Sequence, residues 1–161
     1  MSSKVQESVY SGCVTYEKSG IGFNQFNTFN NVTGQWLNIS LIEDFFYTLL
    51  KSDKLGKVVV GTKLTDTLVK NTRRITLVDI GRVRDRVGYG SGVVLVFLFS
   101  KSAGNGEKNV PVMAEMEEFL RTKVAESRHE HYIISRGSTY QDYDSTYDMH
   151  CNVVEINLTI I

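Results

Sequence analysis

Apolar residues recur at helical spacing in two segments of the chain. In the first segment, Ser40 and Glu43 have the spacing of a capping box, whose side chains bind free N–H groups at a helix N-terminus. Gly56 ends this segment. In the second segment, Asn109 can cap a helix whose first turn contains Pro111. The pattern predicts two amphipathic helices, with the apolar stripes Leu41, Ile42, Phe45, Phe46, Leu49, Leu50 and Val112, Met113, Met116, Phe119, Leu120, Val124.

Other apolar stretches have the length and periodicity of β-strands. Residues 93–99 are apolar without interruption, which predicts a central strand covered on both faces. Residues 154–160 alternate between apolar and polar side chains, which predicts a strand with one buried face. Residues 82–87 alternate between charged and apolar side chains and can prolong a strand over residues 75–80. Further strands are predicted at residues 57–64 and 132–134.

Polar or glycine-rich stretches separate these elements. Residues 65–74, 101–108 and 137–148 are predicted to be loops, and residues 88–92 a hairpin turn. Residues 88–92 lack the Gly-Lys-Ser/Thr sequence and do not open a helix, so the pattern does not favour a phosphate-binding loop. The order of elements predicts an α+β fold, a two-layer sandwich of about five mostly antiparallel strands with two amphipathic helices packed on the sheet.

The N-terminal quarter of the chain has a different composition. Residues 1–39 contain many Asn and Gly residues, interleaved with Phe23, Phe26, Phe29 and Trp36. Asn and Gly disfavour a helix, so we predict an irregular arm over residues 1–39, followed by a single domain over residues 40–161. Because these aromatic side chains are too apolar to remain in water, the arm is expected to fold back on its own domain or to contact a partner.

Composition and charge restrict the function classes. The chain has 161 residues with 18 basic and 18 acidic side chains, so its formal net charge is zero. A general nucleic-acid coat protein would need a basic excess, whereas a neutral surface opposes self-association little. The first residues have no hydrophobic region typical of a secretory signal, and residues 93–99 are too few to cross a bilayer. We therefore expect no membrane partner, and we expect Cys13 and Cys151 to be reduced thiols.

Histidines provide the main candidates for metal chemistry. His129 and His131 would share one face of a strand, and His150 and Cys151 could add ligands if the last strand lay nearby. The usual zinc spacings are missing, and so is a Gly-x-Ser-x-Gly nucleophile motif. We therefore predict no enzyme activity, no cofactor and no small-molecule substrate. A metal-dependent hydrolase using His129, His131 and His150 is kept as a minor alternative.

Two polar groups of residues are candidates for binding surfaces. Arg82, Arg84 and Arg86 make the middle of the chain locally basic, and Tyr89 follows them. Arginine beside an aromatic ring is typical of single-strand nucleic-acid sites, although a solvated strand face explains the same pattern. The second group lies in residues 137–148 and is predicted to contact partner proteins, because tyrosine is enriched at interfaces. Its members are Tyr140, Tyr143 and Tyr147.

The order of elements between residues 40 and 161 resembles that of the tail-terminator (tail-completion) proteins of long-tailed bacteriophages. The matching parts are a first helix at 41–50, a central strand at 93–99, a flexible loop, a second helix at 112–125 and two closing strands. The resemblance implies a homo-oligomeric ring, commonly a hexamer, that caps the growing tail tube and joins it to the head and neck.

The same resemblance implies where the protein acts and what it contacts. Its partners would be tail-tube and neck proteins, and its location the tail–neck region of the virion after assembly in the host cytoplasm. DNA would meet the ring only in passage, and Arg82, Arg84 and Arg86 would line the lumen. A single-stranded nucleic-acid-binding or adaptor module is the alternative.

Overall fold

The computed structural model describes residues 35–161, which form an α+β fold. Helix α1 is followed by a 3₁₀ turn, a short strand, a one-turn helix, a long hairpin, a second long helix and a second long hairpin. The bounds are α1 Ile39–Leu50, the 3₁₀ turn Asp53–Leu55, β1 Lys57–Val60, α2 Asp66–Val69, β2 Arg74–Arg86, β3 Tyr89–Lys101, α3 Val110–Glu126, β4 Tyr132–Asp144 and β5 Met149–Ile160.

The described strands form one five-stranded sheet in the order β1-β2-β3-β5-β4. Only β1 and β2 run parallel, and the other three neighbouring pairs are antiparallel. The central strand β3 pairs along nearly its whole length with β2 on one side and β5 on the other. The predicted fold class, with about five mostly antiparallel strands and two amphipathic helices on the sheet, is confirmed.

Both long helices cover the same face of the sheet, with α1 over β1 and β2 and α3 over β3 and β4. Alternate strand residues supply the main core beneath them, and burying each such side chain contributes about 1.5–3 kcal/mol. The fully buried members include Ile42, Phe46, Leu50, Met116, Leu120, Val94, Val96, Leu98, Val154 and Ile156. The buried Thr76 hydroxyl donates a 2.8 Å hydrogen bond to the Leu55 carbonyl, which fixes the 3₁₀ turn against this face.

The opposite face of the sheet is covered at one end only. There α2 and the segment before it bury a smaller cluster that includes Leu64, Leu68, Ile75 and Phe99. Towards the β2–β3 turn the same face exposes four large apolar side chains, and we call this region the open face. Its members are Tyr89, Val93, Ile133 and Tyr140, with Leu95 and Phe97 half-buried between them. The predicted cover on both faces of β3 therefore holds for only part of the strand.

The start of α1 differs from the sequence prediction. Asn38, not Ser40, is the N-cap, because its side-chain oxygen accepts the Leu41 N–H at 3.2 Å. Asn38 also has the extended backbone of a cap, with φ −126° and ψ 119°. The predicted capping box of Ser40 and Glu43 is therefore wrong. Trp36 and Leu37 pack against the main core just before this cap.

Several predicted boundaries also change. Residues 137–148 are mostly strand, since β4 pairs with β5 as far as Asp144, and residues 65–74 contain α2. The strand predicted at 57–64 ends at Val60. The turn predicted at 88–92 consists of residues 87–88, and the following glycines belong to β3. Within residues 35–161, no helix is long and apolar enough to cross a membrane.

Candidate interaction surfaces

The β2–β3 hairpin carries the predicted arginines and extends beyond β1, which pairs only with residues 75–78 of β2. All three arginines are exposed, and Val87 at the tip is 96% exposed. A two-residue turn with Gly88 at φ +84° closes the hairpin, so its strands are held together up to the Arg86–Tyr89 pair. The hairpin therefore presents these side chains on a hydrogen-bonded support.

The arginines do not form one regular row. The register of β2 against β3 is interrupted between Ile80 and Val83, and Arg82 lies in this irregular stretch. Beyond it, Arg84 and Arg86 pair with Ser91 and Tyr89 and share the open face with them. The Arg86 Nε donates a 3.1 Å hydrogen bond to the Ser91 hydroxyl. The structure thus brings Arg84, Arg86 and Tyr89 together, and Arg82 lies next to them in the stretch without a regular partner.

The predicted contact tyrosines divide into two groups. Tyr140 lies opposite Val153 on the open face and is 47% exposed. The hydroxyls of Tyr143 and Tyr147 instead donate 2.7 Å hydrogen bonds to Asp148 and Asp66. Each bond raises the pKa of its tyrosine, and the Tyr143 bond lowers the pKa of Asp148. Tyr143 and Tyr147 therefore stabilise the β4–β5 turn and its contact with α2.

Trp36 lies in an aromatic cluster where the N-terminal segment joins the domain. Its ring stacks on His131 at 4.1 Å, and its carbonyl accepts a 2.9 Å hydrogen bond from the Tyr132 hydroxyl. Burial raises the pKa of Tyr132. The rings of Phe45 and His129 complete the cluster. Trp36 thus anchors the chain to its own domain, whereas Phe23, Phe26, Phe29 and Cys13 lie outside the described residues.

The three candidate metal-binding histidines are not brought together. His131 contacts the carbonyl of Ile161 just beyond the end of β5, whereas His150 lies near the start of that strand. At about 3.3 Å per residue, these ends are roughly 30 Å apart. Residues 35–161 contain no group of three or more side chains placed to hold a metal ion. The proposed joint site of His129, His131 and His150 is therefore wrong.

Cys151 offers no reactive thiol. The side chain is 1% exposed beneath α2, and burial raises the pKa of its thiol to about 12. A thiol with this pKa is protonated at neutral pH and is a poor nucleophile.

Sequence analysis missed a basic groove between the end of α3 and the start of β4. Arg121, Arg128 and Arg136 line it together with the apolar side chains of Val124 and Ile134. Arg121 is paired with Glu118, whereas Arg128 hydrogen-bonds to the last carbonyls of the helix segment. The charges come from separate elements, so no local motif could have indicated the groove.

Comparison with known proteins leaves the chain without an assigned family. No protein-family model matches it, and no curated protein matches it either.

Proposed function

We propose that the chain is a structural virion assembly protein that forms a homo-oligomeric ring, terminates a phage tail tube and joins it to the neck. The observation that carries the proposal is the end of the β2–β3 hairpin, where β2 holds three exposed arginines beyond the residues that pair with β1, on a protein with zero net charge. In a ring, symmetry would repeat this hairpin in every subunit. Positive charge on a rigid support is suited to the wall of a channel that passes DNA.

The edge strand β4 supports association between subunits. It is 13 residues long and mostly exposed, and among the described strands only β5 pairs with it. An exposed edge offers unpaired N–H and C=O groups to a neighbouring chain. The interrupted register between Arg136 and Thr139 bends this edge, so a partner would pair with one half of it. The basic groove lies beside the first half.

The test compares two variants with the same change in charge. One replaces Arg82, Arg84 and Arg86 with Gln, and the control replaces Lys63, Lys70 and Arg73, which are also exposed and lie outside β4, with Gln. We expect both variants to keep the ring mass in light scattering. Only the hairpin variant should lose salt-dependent retention of DNA, because that retention depends on lumen charge. If the hairpin variant assembled normally and retained DNA as the wild type does, the proposal that these arginines line the lumen of the ring would be refuted.

A second candidate function follows from Arg84, Arg86 and Tyr89 on one face of the hairpin. This arrangement suits single-stranded nucleic acid, whose bases stack on exposed aromatic rings with about 1–3 kcal/mol per base. A Tyr89→Ala variant that loses single-strand binding, in a protein that remains monomeric, would favour this function over the ring.

A further inference from the structure

The open face is an apolar surface that the described helices leave uncovered. Val93 and Ile133 are 41% and 52% exposed, although both lie in strands rather than in loops. Polar side chains lie beside these two in the same rows across the sheet: Asn157 and Ser135 in the row of Val93, and Thr159 and Ser91 in the row of Ile133. The surface thus combines apolar contacts with hydroxyl and amide groups, and its margin carries the charged side chains of Arg84, Arg86, Asp79 and Glu155.

The chain itself contains a segment of matching chemistry. Residues 20–34 hold no charged side chain, and they include Ile21, Phe23, Phe26, Phe29 and Val32 among Asn, Gln, Thr and Gly residues. Large aromatic side chains bury enough apolar surface to stabilise a docked segment. The Asn and Gln amides can pair with the polar rows of the open face.

The place where this segment joins the domain is next to the open face. Trp36 packs on Tyr132, and the following residue, Ile133, points to the opposite side of the sheet. Leu37 lies against Gly90 at the start of β3, in the same row across the sheet as Tyr132. The chain therefore enters the domain at the end of the sheet where the open face begins.

The length of chain is sufficient to pass around that end. Phe29 precedes Trp36 by seven positions and Phe26 precedes it by ten. Extended chain spans at most about 3.3–3.6 Å per residue, so these residues reach up to roughly 25 and 35 Å from Trp36. Crossing from one side of a sheet to the other requires about 10–15 Å, since packed layers are about 10 Å apart.

We propose that residues 20–34 pack across the open face of their own chain, with Phe26 and Phe29 covering Val93 and Ile133. This inference is independent of the proposed function, because it concerns contacts within one chain.

Cysteine accessibility in the full-length protein tests the contact. The probe is Ile133→Cys in a Cys13→Ser background, labelled with a maleimide. The control is Val110→Cys, which is 61% exposed at the start of α3. We expect labelling at position 133 to be at least tenfold slower than at position 110. Replacing Phe23, Phe26 and Phe29 with Ser should restore fast labelling at 133 and leave 110 unchanged. Equal labelling at both positions with the phenylalanines intact would overturn the inference.

A second measurement identifies which copy supplies the segment. Phe29→Cys combined with Ile133→Cys, again with Cys13→Ser, should give a disulfide within one chain after mild oxidation. Phe29→Cys with Val110→Cys should cross-link at least tenfold more slowly. Cross-linked dimers would show that a second copy supplies the segment. Equal cross-linking of Phe29→Cys to positions 133 and 110 would show that the segment lies elsewhere. Either result contradicts the proposal. Oligomeric mass measured on the same samples tests the ring separately.

Discussion

Gly56 is the position where a single methyl group should cost most. Its backbone has φ 70° and ψ −138°, a conformation that L side chains rarely adopt, and its N–H closes the 3₁₀ turn on Asp53. A Cβ at this position would collide with the backbone carbonyl of Arg74. The backbone conformation accounts for about 1–3 kcal/mol. The displacement forced by the collision adds about 1–3 kcal/mol. We therefore expect Gly56→Ala to lower the free energy of unfolding by about 2–6 kcal/mol, equivalent to roughly 4–24 °C in Tm for a protein of this size.

The matched control is Gly61→Ala, at the other end of β1. No atom lies within 4 Å of a Cβ built at Gly61, and its φ is not positive. Alanine there should be neutral or stabilising by up to about 1 kcal/mol, because it reduces the entropy of the unfolded chain. Urea titrations followed by far-UV circular dichroism and by the fluorescence of the single tryptophan, Trp36, give both free energies. If the two variants differed by less than about 0.5 kcal/mol, the left-handed backbone and the collision at Gly56 would both be refuted.

Three further predictions concern buried polar groups. Thr76→Val should lower the free energy of unfolding by about 1–3 kcal/mol, because it leaves the Leu55 carbonyl unpaired. Thr76→Ser should retain the hydrogen bond. Equal stability of the Thr76→Val variant and the wild type in urea titration would contradict this prediction. Tyr132→Phe removes the hydrogen bond to the Trp36 carbonyl, so it should lower the free energy of unfolding by about 1 kcal/mol and shift the tryptophan emission to the red. An unchanged emission spectrum and an unchanged stability would show that this hydrogen bond does not hold Trp36 in place. The thiol of Cys151 has a folded pKa of about 12 against an ordinary value of 9.0, so the unfolded state loses its proton first. The stabilisation that comes from this pKa difference is therefore fully present below pH 9 and is lost as pH rises from 9 to 12. Cys151→Ala should flatten the dependence of the free energy of unfolding on pH over this range. An identical slope in both proteins would count against an effect of thiol burial.

The two long helices could be predicted because each buries one stripe of apolar side chains at a fixed period. Their starts were harder to predict, since Asn38 and Ser40 are both good N-caps and lie two residues apart. The extended backbone of Asn38 decides between them, and Trp36 and Leu37 pack against the main core immediately before it. Local signals therefore identified the helix, while tertiary contacts fixed its first residue.

Strand β4 shows why the second hairpin was only partly predicted. From Arg136 onwards its residues are exposed on both faces, so the alternation that marks a half-buried strand is missing. Pairing with β5 holds this segment extended, and pairing between distant residues leaves no local pattern in the sequence. Similarly, Gly90 and Gly92 suggested a turn, yet they lie in β3 where Leu37 and Val83 approach too closely for a side chain.

For the candidate sites as well, features set by neighbouring residues could be predicted from the sequence, whereas features set by contacts between distant residues could not. The exposure of Arg84 and Arg86 was predictable from alternation, but the interruption of the register at Arg82 was not. The bond from Tyr143 to Asp148 and the distance between His131 and His150 depend on how β4 and β5 align, and the bond from Tyr147 to Asp66 depends on where α2 packs. These arrangements become visible only once the strands are placed side by side.

The mass of the full-length protein in solution tests the central claim most directly. Light scattering on a size-exclusion column, combined with electron microscopy of the same fraction, measures the number of 18.2-kDa chains per particle. We predict one discrete species with ring-shaped particles, about 110 kDa for the hexamer that the resemblance to tail-terminator proteins implies. A monomer that persists at every concentration tested, with no rings in the micrographs, would contradict the proposed assembly function.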